Sequence, residues 1–348
     1  MEHTSPEALL AVPLDQPERI FSGSPQDIRA QWRALALRHH PDCNPGTVNA
    51  QAAFRHLLAL KKAAEARIKA GAWTRNGERL LTTRDGRCFR LRFISRRPFE
   101  LGESYIGRST LAFAIEGAAQ RLVERGIEHF RSIGFADAAM QRQLAPLLPR
   151  LRATTEAEDC TVVVLHRAPG LVLLADLIAH GGGHLDPRHV AWVVSGLENL
   201  ACYLGTRGLV HGAISPDTVL VDPVTHRVAL LGGWWYATPF GARLMALPTR
   251  TIRVLPRGLL DNGRAREAID LELIRLTARE CLGDATGTRW HRGGVVPSPL
   301  KSWMLSPPLA SASEDYAAWE EAREAAFGPR RFTETGVSAG DVYPNLEQ

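Results

Sequence analysis

Residues 28–45 have the sequence IRAQWRALALRHHPDCNP, and this stretch decides the fold predicted for the N-terminal part of the chain. Its apolar and aromatic side chains recur at helical spacing, at Ile28, Trp32, Leu35, Ala36 and His39. Ser24 is a good N-cap and Pro25 a good first helical residue, so the start of this helix is well marked. Pro41 ends the helix, because a proline ring disfavours helical backbone in the residue before it.

A second helix is predicted after a short turn. Asn44-Pro45-Gly46 is typical of a turn, and helical spacing then continues at Phe54, Leu57, Leu58 and Lys61. Two antiparallel helices joined by a loop with the sequence His40-Pro41-Asp42 resemble the J-domain of the DnaJ family. The resemblance covers about residues 14–70.

This resemblance implies a partner. In the family, the loop and the basic face of the preceding helix contact a DnaK-type chaperone and trigger its ATP hydrolysis. Carried over to this chain, the loop is His40, Pro41 and Asp42. The positive face is formed by Arg29, Arg33 and Arg38, which suits an acidic partner surface.

The alternative is a degenerate helical hairpin whose arginines form only a solvated face. Two departures from the family favour it. Cys43 stands where a basic residue is usual, and Lys61 stands where an aromatic residue is usual.

The composition of the chain bounds its class. Its 348 residues are enough for two or three domains, and 45% hydrophobic and 23% charged residues are typical of a soluble protein. It has no run of eighteen apolar residues and no basic-then-apolar signal pattern, so we expect no membrane association. The five cysteines have neither metal nor redox spacing. We therefore expect a cytoplasmic protein with reduced thiols and no metal.

Positive charge is concentrated in one short segment. Residues 71–97 contain eight arginines and two acidic residues. An Arg84-Asp85-Gly86 turn between residues 80–83 and 88–93 predicts a β-hairpin. Its candidate nucleic-acid contacts are Arg84, Arg87, Arg90 and Arg92. The alternative is a solvated strand face in an arginine-rich proteome, since 38 arginines accompany four lysines; this bias also suggests a bacterial or phage origin.

The remainder of the chain predicts strands followed by long helices. Strands are expected near 104–106, 110–115 and 161–165, and helices near 137–151, 187–205 and 265–282. Residues 209–221, LVHGAISPDTVLV, resemble the catalytic loop of the protein-kinase fold followed by a short strand. Residues 228–234 then occupy the place of the strand and the Asp-Phe-Gly motif. The resemblance implies a two-lobed kinase-like fold over about residues 98–335.

The residues that kinase chemistry requires are missing. Phosphoryl transfer needs a cation on the phosphates, a base and metal ligands. The resemblance implies that Glu116 stands in place of the phosphate-binding lysine and Gln143 in place of the helix residue that pairs with that lysine. It also implies that Ala213 replaces the catalytic base, and that Thr218 and Gly232 replace the two magnesium ligands. Glu116 would repel ATP phosphates. His211 and Asp270 match structural positions, a core histidine and the buried anchor of the loop. The pattern predicts a pseudokinase.

Two further segments have a local interpretation. Residues 102–109 nearly match a phosphate-binding loop, but the following residues continue as strand, so a strand–turn–strand is predicted. Residues 313–332 predict a last helix that ends at Gly328-Pro329, and residues 336–348 are expected to be a frayed tail.

Together these patterns predict an α+β multidomain protein. Its parts are a J-domain-like helical hairpin (1–70), a basic β-hairpin or linker (71–97), a pseudokinase (98–335) and the tail (336–348). The predicted function is a co-chaperone-type adaptor that recruits and stimulates a DnaK-type chaperone while the kinase-like domain holds an unknown client. We expect no enzyme activity and no cofactor. The alternatives are an atypical serine/threonine kinase or nucleotide-binding pseudokinase, and a nucleic-acid-associated factor.

Overall fold

The computed structural model describes residues 5–21, 25–44, 49–69, 77–288 and 296–343 of the chain. It is a mixed α+β protein with a helical N-terminal region and a multi-stranded sheet farther along the chain. Contacts between backbone positions divide it into two compact units, Met1–Phe93 and Ile94–Gln348. Each unit has its own hydrophobic core.

The first unit begins with three helices, α1 (Pro6–Leu10), α2 (Pro25–His39) and α3 (Ala50–Lys69). Helices α1 and α2 both pack on α3. The fully buried core of this region contains Leu9, Phe21, Ile28, Ala53, Leu57, Leu60 and Ala64. Two helices separated by a break at Pro41 are confirmed; the expected N-cap Ser24 and turn residues 45 and 46 lie outside the described residues.

A β-hairpin completes the first unit. Strands β1 (Glu78–Thr82) and β2 (Cys88–Arg92) pair antiparallel, with Thr82 opposite Cys88. The turn places Gly86 at φ 80°, a conformation that glycine adopts without strain. The predicted hairpin is confirmed for these residues, and residues 71–76 of the basic segment lie outside the described part.

A five-stranded antiparallel sheet begins the second unit, in the spatial order β3-β4-β5-β7-β6. Its strands are β3 (Ser95–Phe99), β4 (Gly102–Ile106), β5 (Thr110–Glu116), β6 (Leu151–Glu156) and β7 (Cys160–His166). The strand–turn–strand expected in place of a phosphate loop is confirmed. β3 and β6 were not anticipated. Because β3 begins at Ser95, the last residues of the expected basic segment 71–97 belong to this sheet and not to the hairpin.

Helices α4 (Gln120–Ser132) and α5 (Ala138–Leu144) connect β5 to β6. The helix expected over 137–151 is much shorter, because Pro146 lies in a one-turn 3-10 helix and residue 151 already belongs to β6. Helix α4 was not anticipated at all. It buries Val123, Gly126 and Phe130 on one face.

The helical part of the second unit surrounds two long buried helices. It comprises α6 (Leu174–His180), α7 (Pro187–Thr206), α8 (Thr249–Val254), α9 (Arg257–Leu260), α10 (Glu267–Cys281), α11 (Ser298–Leu305) and α12 (Ala312–Phe327). Helix α7 packs on both α10 and α12. The helices expected near 187–205 and 265–282 are confirmed, as is a last long helix ending at Gly328, where φ is 72°.

Short strands lie between β7 and α8 in the chain. They are β8 (Val172–Leu173), β9 (Leu209–Val210), β10 (Val219–Asp222), β11 (Arg227–Leu230) and β12 (Thr238–Pro239). Strands β8, β10 and β11 form one small sheet, and β9 pairs with β12. The backbone between β9 and β10 is the loop that the sequence singles out.

The C-terminal segment forms a short helix and makes defined side-chain contacts up to residue 343. This corrects the expectation of a frayed tail from residue 336. Ser338 and Asp341 form a reciprocal capping box at the start of α13 (Ala339–Val342). The Tyr343 side chain is buried, and its hydroxyl donates to Asp176 and accepts a hydrogen bond from the backbone of Leu173. Within the described ranges, no helix has the length and apolar character needed to cross a membrane.

Candidate functional sites

The loop after α2 has a defined geometry. His40 has extended backbone and precedes a one-turn 3-10 helix, Pro41–Cys43. The backbone N–H of Asp42 donates to Nδ1 of His40 at 3.3 Å, and the imidazole ring packs edge-on against Phe54 of α3. The Asn44 amide donates to the carbonyl oxygens of Arg38 and His40, at 2.7 and 3.1 Å. These bonds hold the loop closed while the Asp42 carboxylate stays 89% exposed.

The arginines expected to form a positive face lie on the exposed side of α2. Arg29, Arg33 and Arg38 are all exposed, whereas Ile28 and Ala36 are buried. Leu37 is 72% exposed on the same helix. Helix α2 therefore presents positive charge and one large apolar side chain to solvent next to the loop.

The two departures noted in the sequence have different surroundings. The Lys61 ammonium lies 4.3 Å from the centre of the Trp32 ring and 3.4 Å from the Glu65 carboxylate. A cation–π contact thus joins α2 to α3 at this position. Cys43 is exposed.

The arginines of the β-hairpin are accompanied by carboxylates. Glu78 lies 3.1 Å from the Arg90 guanidinium and 3.3 Å from that of Arg92. Arg87 pairs with Asp85 across the turn at 2.7 Å. Arg84 is also exposed. Because these pairs cancel part of the positive charge, the hairpin is less cationic than its arginine count suggests.

In the second unit, the loop from His211 to Thr218 is held by Asp270. One Asp270 carboxylate oxygen accepts from the backbone N–H of His211 at 2.6 Å, and the other from that of Gly212 at 2.7 Å. Asp270 projects from α10 and is buried. Burial raises the pKa of Asp270 to about 7, although the two N–H donors act in the opposite direction. The carboxylate connects α10 to the loop.

His211 is a structural histidine. Its Nδ1 accepts from the backbone of Ala213 at 3.3 Å, so its Nε2 donates to the carbonyl of Gly232 at 3.0 Å. Burial lowers its pKa to about 3, which keeps the ring neutral at physiological pH. Both ring nitrogens are used in joining the loop to the 232–234 turn. This matches the role expected for it and provides no base at an open position.

Thr218 also holds the loop together. Its hydroxyl donates to the carbonyl of Ala213 at 2.7 Å and accepts from the backbone N–H of Ser215 at 3.0 Å. The backbone N–H of Gly232 donates to the Thr218 carbonyl at 3.1 Å. A Cβ atom on Gly232 would lie 3.2 Å from Cα of Thr218, so the position has little room for a carboxylate side chain. Ala213, Thr218 and Gly232 lie together, as expected. The only functional group among their side chains is the Thr218 hydroxyl, and it is already hydrogen-bonded within the loop.

A cavity of about 290 Å³ lies beside this loop. Phe99, Phe113 and Trp235 pack against one another on its wall, with ring centres 4.7 to 5.8 Å apart and Phe113 edge-on to the other two rings. Its charged rim includes Arg97 and Arg250, but Arg97 pairs with Asp176 and Arg250 pairs with Glu280. Aromatic rings occupy much of the space between the sheet and the loop.

Two expected site residues do not reach this cavity. On β5 the side chain that lines it is Phe113, and Glu116 is exposed on the opposite face, since side chains alternate along a strand. Glu116 therefore cannot repel a phosphate there. Gln143 is exposed on α5, whereas the helix beside the 234–236 turn is α4, whose Gly126 lies against the backbone of Trp235.

Sequence reasoning missed the contacts that hold the cavity wall. From α4, Arg125 donates to the Ala237 carbonyl at 2.8 Å, and Nε2 of His129 lies 3.0 Å from the same oxygen. Glu100, in the β3–β4 turn, accepts from the backbone N–H of Thr249 at 2.9 Å. The helical spacing of apolar residues over 120–132 was the available signal for α4.

In the part of the chain that is described, no three histidine, cysteine or acidic side chains converge on one point. Comparison with known proteins gives no further assignment. No protein-family model matches the sequence, and no curated protein is recognisably related to it.

Proposed function

We propose that this protein is a co-chaperone-type adaptor, in which the first unit recruits and stimulates a DnaK-type chaperone and the second unit holds a client without phosphorylating it. Tethering would raise the local concentration of chaperone at the client. ATP would be hydrolysed by the partner.

The observation that carries the proposal is the combination of the His40-Pro41-Asp42 loop with the arginines of α2. The loop is closed by Asn44 and leaves the Asp42 carboxylate exposed. Arg29 and Arg33 are exposed one helical turn apart on the same face. A preorganised loop next to a cationic helix suits a partner with an acidic surface.

The second unit supports a binding role better than a phosphoryl-transfer role. At the loop that resembles a catalytic loop, the two buried ionisable groups, His211 and Asp270, both bond the backbone. Thr218 is engaged within the loop, and Ala213 and Gly232 cannot hold a proton or a metal ion. Chemistry of the kinase type needs free groups at these positions.

The test is single-turnover ATP hydrolysis by a bacterial DnaK in the presence of the full-length protein. We expect stimulation by the wild type and by the control His184→Gln, and none by His40→Gln. His184 is an exposed histidine of the second unit, so it matches the chemical change. The His40 side chain is partly exposed and, among the described residues, contacts only the Phe54 ring and the Asp42 residue of its own loop, so we expect the variant to keep the fold, which circular dichroism checks.

Two outcomes would contradict the proposal. Full stimulation by His40→Gln would show that the loop is not the trigger. No stimulation by the wild type would show that the hairpin is degenerate. Stimulation should also weaken as salt is raised from low concentration, because exposed charges are screened beyond about 8–10 Å at physiological ionic strength.

A further inference from the structure

A second groove lies in the second unit, on the side of α7 that faces the C-terminal end of α12. Its volume is about 720 Å³, within the range of cavities that hold ligands. It is lined by residues of α7, by His226 from the β10–β11 turn, and by the segment that follows α12. The arginine groove, as we name it, is lined by Arg188, Arg323, Arg330 and Arg331 together with Trp192 and Phe332.

The charge of the groove is locally unbalanced. Glu320 contacts two of the arginines, Arg323 at 3.3 Å and Arg330. Arg188 and Arg331 are exposed, and among the described residues no carboxylate lies within ion-pair distance of either. The Arg188 guanidinium lies over the Phe327 ring, 5.7 Å from its centre. Residues 94–348 as a whole carry 27 Lys and Arg against 28 Asp and Glu, so this positive site is not part of a general surface charge.

Aromatic rings form one wall of the groove. His226 lies between Trp192 and Phe332, with ring centres 4.5 Å from each and interplanar angles of 6° and 24°. His226 has a left-handed backbone, φ 59°, a conformation that is uncommon for residues other than Gly but more frequent for His, Asn and Asp than for the rest. Phe332 remains 65% exposed at the end of the stack. The stack holds an apolar ring in the same groove as Arg188 and Arg331, the two arginines without a carboxylate partner among the described residues.

We propose that the arginine groove binds an acidic peptide segment of a partner protein, with carboxylates on Arg188 and Arg331 and an apolar or aromatic side chain on Phe332. Guanidinium groups bind carboxylates through paired, charge-assisted hydrogen bonds. Recognition of acidic motifs by arginine clusters is a recurring mode of peptide binding. The inference deepens the proposed function, on which it rests, by assigning the client surface of the second unit.

A single-stranded nucleic acid fits these observations less well. Such strands bind along a continuous positive groove with successive bases stacked on open aromatic rings. Here the three rings stack on one another, and only Phe332 keeps a large exposed area. Two of the four arginines already have a carboxylate partner in Glu320. A short segment with two or three carboxylates matches the charge that remains.

The test is fluorescence anisotropy with the full-length protein and a labelled peptide of sequence EEFEE. We expect binding by the wild type, and at least about tenfold weaker binding by Arg188→Gln/Arg331→Gln, equivalent to about 1.4 kcal/mol. The matched control is Arg142→Gln/Arg152→Gln, which removes two exposed arginines from α5 and β6. The Arg188→Lys/Arg331→Lys variant should retain part of the affinity, since it keeps the charge.

The peptide itself provides a second comparison. Phe332→Ser should weaken binding of EEFEE severalfold but leave binding of EESEE unchanged. In this double-mutant cycle, the difference measures the direct contact between Phe332 and the phenylalanine of the peptide. QQFQQ should not bind. Equal binding by wild type and Arg188→Gln/Arg331→Gln, no binding of EEFEE, or tighter binding of oligothymidylate at the groove would each overturn the proposal.

The two proposals fail separately. His40→Gln should still bind EEFEE, and Arg188→Gln/Arg331→Gln should still stimulate a DnaK-type ATPase. Stimulation by the wild type without any binding of EEFEE by the wild type would refute the groove alone. Intact, groove-dependent peptide binding without stimulation by any variant would refute the adaptor role alone.

Discussion

Asp270 shows how one buried carboxylate can organise a loop. It accepts two backbone N–H groups, from His211 and Gly212, at 2.6 and 2.7 Å. The side chain of His211 then bonds the carbonyl of Gly232, so that three segments distant in sequence meet at this point. Such an anchoring aspartate can be identified from sequence only through the pattern of the loop that it holds. An aspartate within a helix gives no local sign of its hydrogen-bond partners.

We expect Asp270→Asn to destabilise the second unit by about 1–3 kcal/mol, because one of the two buried N–H groups loses its acceptor and faces an NH₂ group. Urea unfolding followed by tryptophan fluorescence measures this, and Trp234 lies 5.4 Å from the His211 ring. The matched control is Asp222→Asn. Asp222 also accepts two backbone N–H groups, but in the exposed turn after β10, where water can replace it. Equal losses in both variants would contradict the anchoring role.

At the scale of single elements, helix α7 carries a buried acid that no proposed function uses. Glu198 is fully buried among α7, α10 and α12. Close by, Arg275 of α10 forms a buried bidentate pair with Asp315 of α12, at 2.6 and 2.8 Å. Burial, and then the negative charge of Asp315, raise the pKa of Glu198 well above its ordinary range.

This raised pKa predicts a pH dependence. In the unfolded chain Glu198 releases its proton above a pKa of about 4.3, whereas the folded protein retains it. The folded state therefore binds more protons, and its stability falls as pH rises from that value through the higher folded pKa. Glu198→Gln removes this loss, so we expect its stability relative to wild type to increase between pH 5 and pH 8.

Urea unfolding at both pH values measures the difference. The exposed Glu321→Gln on α12 is the matched control and should follow the wild type at both pH values. A Glu198→Gln variant whose difference from wild type is the same at pH 5 and pH 8 would show that the carboxyl group has an ordinary pKa in the folded protein.

Helix α4 marks the limit of prediction from sequence at this scale. Its apolar residues Leu122, Val123, Ile127 and Phe130 have helical spacing, but Gly126 in the middle lowers helix propensity. The structure explains the glycine, since a Cβ atom there would lie 3.3 Å from the backbone of Trp235. The reason for Gly126 is thus a long-range contact, which the local sequence does not contain.

The same limit applies to the cavity beside the loop. The β-like run at 110–115 correctly predicted a strand, but it could not tell which face would meet the loop, and Phe113 rather than Glu116 does so. By contrast, α2, α3 and the hairpin turn follow from local signals, whereas α1 was not anticipated and the core role of His211 came from the resemblance to the kinase loop. Caps, turns and periodicity are encoded nearby, whereas the pairing of faces depends on the whole unit.

At the scale of the whole molecule, the two units have separate hydrophobic cores and differ in net charge. Residues 1–93 carry 15 Lys and Arg against nine Asp and Glu, and residues 94–348 carry 27 against 28. The first core contains Leu57 and the second contains Leu197, both fully buried. An adaptor requires units that fold without each other, since one must be free to engage its partner while the other holds a client.

Separate cores predict separate responses to a cavity. Leu57→Ala and Leu197→Ala should each lower the stability of their own unit by about 2–5 kcal/mol, the usual cost of this change in a core. Hydrogen–deuterium exchange of the full-length protein, resolved by mass spectrometry, locates the effect. Leu57→Ala should increase exchange in α2 and α3 and leave exchange in α7 and α10 unchanged. Leu197→Ala should increase exchange in α7 and α10 and leave exchange in α2 and α3 unchanged. An exposed control, Leu37→Ala, should alter neither core. If either core variant increased exchange throughout both units, the chain would unfold as one cooperative body, and independent action of its two parts would have no thermodynamic basis.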